Sequence, residues 1–174
     1  MGTLYSSLLS QVGWSWQSGT DAAPVVDNNR LMYRKDLEHG QEAFAADVVW
    51  HAEGQQLDQG ESRTYDLQQM AFEVFGDKVI ICFHKVRAMA IVHRGQKPGL
   101  LQVGGAATAA WQGPLAEPGA KIQIPAQGAF WAAAPEEGWP VSAQACQLRL
   151  EALGGDVLYD MVLLGNRPEN SSSS

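Results

Sequence analysis

The residues able to do chemistry are few and scattered along the chain. Its four histidines, His39, His51, His84 and His93, are widely separated, and none has a cysteine or carboxylate companion at a metal-ligand spacing. His84 and His93 meet only if they lie on neighbouring strands, where a histidine is usually structural. Acidic pairs occur at Glu136-Glu137 and around Asp156 and Asp160. Glycosidic cleavage needs two carboxyl groups facing each other across a cleft, and adjacent residues in a proline-containing turn do not supply that. Val103-Gly104-Gly105-Ala106 has neither the following Lys-Ser/Thr nor the helix that a phosphate loop requires, and reads as a bulge or sharp turn. No GxSxG elbow is present, and no serine or cysteine shows a histidine placed to activate it. The expectation is a non-enzyme with no catalytic residues, no metal site and no cofactor.

Composition narrows the partners. The 174 residues suit one domain with an extension. Twelve basic against nineteen acidic side chains give a net charge of −7, which opposes binding to nucleic acid. Lys85, Arg87, His93, Arg94 and Lys97 form a local basic stripe without interleaved stacking aromatics, and read as a solvated strand end. Only 18% of residues are charged, against roughly 25% in an average soluble domain, so much of the surface is uncharged, as in proteins that assemble. Cys82 and Cys146 each lie in an apolar stretch and read as buried free thiols in a reducing compartment, a bridge between them remaining the alternative. The N-terminus lacks the pattern of a secretory signal, and no segment approaches the roughly 18 apolar residues of a membrane-spanning helix. Synthesis in the cytoplasm and no membrane partner are expected.

Glycine and proline punctuate the chain at the short intervals of an all-β fold. Strands are expected at 46–51, 61–67, 79–83, 85–93, 100–103, 121–124, 129–133, 147–151 and 157–164, separated by turns such as Lys97-Pro98-Gly99 and Glu117-Pro118-Gly119. In KVRAMAIVH, alternation gives an apolar face of Val86, Ala88, Ala90 and Val92 and a mixed face of Lys85, Arg87, Met89, Ile91 and His93. QLRLEAL and VLYDMVLLG around Gly154-Gly155-Asp156 read as a hairpin that closes the sheet. A short helix is expected over Asp66–Phe75, with Leu67, Met70, Ala71 and Val74 on one face and Gly76 as its cap. The resulting expectation is a jelly-roll-like antiparallel β-sandwich over residues 46–166. An irregular N-terminal extension, 1–45, precedes it, with a strand around Trp14 and Trp16 and a loop at Ser18–Asn29, and a polar tail, 167–174, follows.

The chain has six tryptophans, a residue that stacks on sugars and anchors interfaces. Phe130, Trp131 and Trp139 are expected to fill the core, leaving Trp14 and Trp16 as interface candidates. Together with Tyr5, Leu8 and Leu9 they define the residues of a contacting arm.

Five segments, in order, resemble the β-sandwich virion structural proteins encoded in phage and prophage genomes. These are ESRTYDLQQM, FHKVRAMAIVHRG, LLQVGGAATAAWQGP, IPAQGAFWAAAPEEGW and LYDMVLLG, all between Glu61 and Gly165. The sequence departs from that family at Gln127, where a glycine is usual, and throughout its first 45 residues. The resemblance implies a structural component of the virion and carries over no catalytic residue. The expected role is a capsid decoration or cement protein binding the major capsid protein or another virion protein, as a homo-oligomer, with a trimer as the guess. A tail, neck or fibre component is the nearest alternative, and a carbohydrate-binding module is the alternative of another class.

Overall fold

Alternating side chains and glycine-proline breaks produce a fold made almost entirely of strands. The computed structural model describes residues 3–20, 23–74 and 77–169. In chain order, β1 (Ser6–Thr20) and β2 (Ala23–His39) form an antiparallel ribbon, followed by β3 (Ala45–Ala46), β4 (Val48–Leu57) and β5 (Ser62–Asp66). A small pair, β6 (Met70–Val74) and β7 (Asp77–Ile81), leads to β8 (Lys85–His93) and β9 (Leu100–Gly104). After a single 3-10 turn at Gly113–Leu115 come β10 (Lys121–Pro125), β11 (Ala129–Ala133), β12 (Trp139–Pro140), β13 (Gln147–Leu153) and β14 (Val157–Asn166).

Two sheets make the sandwich, one ordered β4-β14-β8-β11 with β12 also on β8, the other β5-β13-β9-β10. At every position of this order a strand of one sheet adjoins in sequence the strand at the same position of the other: β4 with β5, β13 with β14, β8 with β9, β10 with β11. That wrapping is a jelly roll, and all its ladders are antiparallel. The interior is one cluster that includes Trp50, Leu57, Phe83, Met89, Ile91, Leu101, Leu148, Leu150, Met161 and Leu163. The Tyr65 and Tyr159 hydroxyls are hydrogen-bonded at 2.7 Å across it, and burial pushes the Tyr159 phenol far above its ordinary value.

Three expectations change. The strands of the final pair exist but are not a hairpin, because β13 and β14 lie in opposite sheets. Gly154-Gly155-Asp156 is the crossing between them, and a Cβ on Gly155 would collide with the Pro98 carbonyl oxygen. The helix at Asp66–Phe75 is a turn followed by β6, with Phe75 and Gly76 outside the described residues. Asp66 accepts from the Gln68 amide with its side chain (2.9 Å) and from the Gln69 amide with its carbonyl (2.9 Å), and that turn buries Leu67 and Met70 three positions apart. Finally, the faces of β8 are reversed. Leu164 pairs with Ala88 and Gly165 with Val86, so Arg87 is an extra residue in a bulge. Beyond it Met89, Ile91 and His93 point into the sandwich, while Ala90 and Val92 face outward and are half-buried.

Gln127 has φ of +62°, and the Gly128 amide bonds to the Pro125 carbonyl at 2.9 Å. This is a turn whose third residue is left-handed, the position where glycine is the unstrained choice.

Candidate docking surface

The first 39 residues hold the most regular element of the chain where an irregular extension was expected. β1 and β2 pair in unbroken register from Ser6 with Leu37 to Thr20 with Ala23. Asn28 and Asn29, expected in a loop, sit in the ladder opposite Ser15 and Trp14, while Asp21 and Ala22 lie outside the described residues. Cross-strand partners share a face. Leu8, Val12, Trp14 and Trp16 therefore lie on one side of the ribbon with Leu37, Tyr33, Leu31 and Val25, interspersed with Ser6, Ser10, Ser18, Asp27, Asn29 and Lys35. The opposite side carries Ser7, Gln11, Ser15, Gln17, Asn28, Arg30, Arg34 and Asp36, together with Leu9, Met32 and Val26.

The apolar side meets the sandwich only at its root. Leu8 (4% exposed) and Leu37 (3%) form a small cluster with Ala46 and Ala88, flanked by Leu4, Trp131, Ala133 and Leu164. Tyr33 meets Trp131 edge to face at 5.5 Å between ring centres. Beyond Tyr33, residues 11–19 and 25–32 are all exposed, so the ribbon stands clear of the body over about 30 Å at ~3.4 Å per residue. Leu8 is thus an anchor rather than a free contact residue. Tyr5, Leu9, Trp14 and Trp16 are 87%, 62%, 45% and 60% exposed. The Trp14 indole N–H donates to Asp27 Oδ2 at 3.1 Å, which fixes the ring over the ribbon. Of the other tryptophans, Trp50 and Trp111 are buried, Trp139 packs against the main core with Phe130, and Trp131 lies outside it beneath Tyr33.

A polar knot holds the root, and its central residue was misread from sequence. Arg87, expected on a solvated stripe, is 1% exposed, as His93 is at 0%, so no continuous basic stripe forms. The Arg87 Nε donates to Asn166 Oδ1 at 2.7 Å, Nη1 to the carbonyls of Pro135 (3.2 Å) and Glu136, and Nη2 to those of Gln41 (3.3 Å) and Glu42 (2.9 Å). All five N–H groups are used, none on a carboxylate. Burial lowers the Arg87 pKa, and the ring of carbonyl dipoles replaces the lost water. The Asn166 amide in turn donates to the carbonyls of Gly40 (2.9 Å) and Ala45 (3.2 Å). One guanidinium therefore ties the loop after β2, the turn before β12 and the end of β14 together. The bulge in β8 was the missing signal, since it aims Arg87 sideways into this ring.

The remaining candidate chemistry is dispersed. Asp160 accepts from the Gly54 amide (2.8 Å) and pairs with Arg94 (2.6 Å), which together hold its carboxyl below the usual range. Asp156 accepts from the Gln59 amide, and Glu136 and Glu137 are exposed. Among the described residues no three of His, Cys, Asp and Glu come together as a metal cluster. Cys82 and Cys146 are free thiols, both pushed up by burial, though Cys82 is half-buried rather than buried as expected. No helix among the described residues is long and apolar enough to cross a membrane.

His93 carries a measurable consequence. Its Nδ1 accepts from the Gly95 amide at 3.0 Å, its Nε2 is buried with no partner among the described residues, and burial lowers its pKa below 6.5. The unfolded chain takes up a proton near pH 6.5 that the folded chain resists, so this group makes stability fall as pH drops below 6.5 and leaves it flat above. Urea unfolding is expected to show a loss of stability from this site that sets in below pH 6.5, with a slope of at most about 1.4 kcal/mol per pH unit, and His93→Gln removes that part of the slope.

Neither a protein-family model nor a curated protein sequence matches this chain, so the resemblance to phage virion proteins rests on the five quoted segments alone.

Proposed function

We propose that this chain is a structural protein of a bacteriophage particle, a capsid decoration or cement protein that binds the major capsid lattice through its N-terminal ribbon. The observation that carries the reading is the ribbon itself. Its apolar face continues outward from a buried root, and among the described residues ten of the fifteen exposed large hydrophobic side chains fall between Tyr5 and Tyr33. An isolated two-stranded ribbon is marginal in water, and one with such a face is best explained by a neighbour that covers it. The five-segment resemblance supplies the virion context. The jelly roll agrees with that context but is shared by capsid and lectin domains, so the fold does not choose between them.

The decisive variant is Trp14→Ser with Trp16→Ser. Both side chains are exposed, so melting temperature is expected to change by no more than a few degrees, while co-sedimentation with particles of the encoding phage falls at least 100-fold. Undiminished co-sedimentation would remove the ribbon from the docking role. Trp14 and Trp16 on one face also suit a glycan, the second reading. Glycan-array binding that disappears in the same variant, with no particle binding by the parent chain, would establish that reading instead.

A further inference from the structure

We infer that two copies of this chain pair through the free edge of β1, antiparallel about a two-fold axis at Ser15. This builds on the docking reading above and specifies the form in which the ribbon is presented. In the sheet order β1-β2-β3, β1 is terminal, so one row of its backbone N–H and C=O groups has no strand beside it among the described residues. Proteins guard such edges with charge, proline, bulges or short length. β1 has none of these. SSLLSQVGWSWQSGT is fifteen residues long, without a charged residue or a proline, and its register with β2 is unbroken. The charges of the ribbon are all on β2, at Asp27, Arg30, Arg34, Lys35, Asp36 and Glu38.

A strand that pairs with itself sets each charge near its own copy, so an uncharged strand suits self-pairing and a charged one opposes it. The register follows from three constraints. Both apolar faces must lie on the same side, which requires partners of equal parity in sequence. Residues 6–9 must stay outside the overlap because Leu8 is buried against the sandwich. Within those limits, placing Ser15 on the axis sets Trp14 opposite Trp16 of the second copy, and Trp16 opposite its Trp14, as cross-strand aromatic pairs. Residues 10–20 then overlap and the two sandwiches lie at opposite ends.

The pairing also corrects a shortage of area. Val12, Trp14, Trp16, Val25, Leu31 and Tyr33 leave on the order of 600 Å² open on one ribbon, less than the ~800 Å² per partner of a stable interface. A four-stranded ribbon doubles it and passes that threshold.

The test uses the purified full chain. Sedimentation equilibrium is expected to give twice the 18.8 kDa chain mass. Ser15→Cys is expected to form a covalent dimer on mild oxidation, whereas Asn28→Cys, on the strand away from the edge, is not. Ser15→Lys is expected to weaken the dimer at least 10-fold with an unchanged circular dichroism spectrum. A monomer, a three-fold mass, or equal cross-linking at positions 15 and 28 would overturn the inference. Because particle co-sedimentation is read separately, a dimer that fails to bind particles would support this pairing while removing the docking role.

Discussion

Replacing Arg87 by methionine is expected to lower the stability of the chain by about 3–5 kcal/mol, read as a fall in the urea midpoint with little change in slope. Methionine fills much of the same space but leaves Asn166 Oδ1 and the carbonyls of Pro135, Glu136, Gln41 and Glu42 without their donor. Against a total of roughly 5–15 kcal/mol for a native domain, that is a large share. Arg87→Lys is expected to recover only part of it, because an ammonium has three N–H groups where the ring needs five in a plane. Arg87→Met together with Asn166→Ala should cost less than the sum of the single changes, since both residues belong to one network. A loss below about 1 kcal/mol for Arg87→Met would show that water satisfies these acceptors and that the knot does not hold the root.

The second large effect concerns the anchor. Leu8→Ala and Leu37→Ala are each expected to remove about 2–5 kcal/mol of local packing from a cluster whose other buried members are only Ala46 and Ala88. The loss is confined to the root, so hydrogen exchange should speed up in β1, β2 and β3 while β9, β13 and the centre of β14 stay protected. Exchange that rises equally in both sheets would mean that the ribbon is part of one cooperative unit with the sandwich.

These two sites also mark the limits of what the sequence made legible. Strand positions were readable wherever one face is buried, as in QLRLEAL, whose alternate residues Leu148, Leu150 and Ala152 are all in the core. Connectivity was not, because a glycine-rich link between alternating strands looks the same whether it turns within a sheet or crosses between two. Alternation also fails across a bulge. One extra residue at Arg87 reversed the faces of β8 and turned an apparent surface cation into a buried charge, 1% exposed. The helix expected at Asp66 arose because a turn held by an aspartate buries residues at a helix-like spacing of three. The ribbon was hidden for the opposite reason: it has no core behind its outer half, so asparagine, glycine and proline occur in its strands without a packing penalty. Trp14 and Trp16 were nonetheless recognisable as exposed residues, whereas Leu8 was not recognisable as an anchor, since Leu37, which packs in the same small cluster, is 29 positions away.

A cryo-electron microscopy map of the phage particle whose genome encodes this chain is the decisive measurement for the docking role. Density for the jelly roll is expected in many copies on the particle, with Val12, Trp14, Trp16 and Leu31 of the ribbon seated against a neighbouring subunit. A purified particle that lacks the chain, or a map in which that face of the ribbon points into solvent, would contradict it.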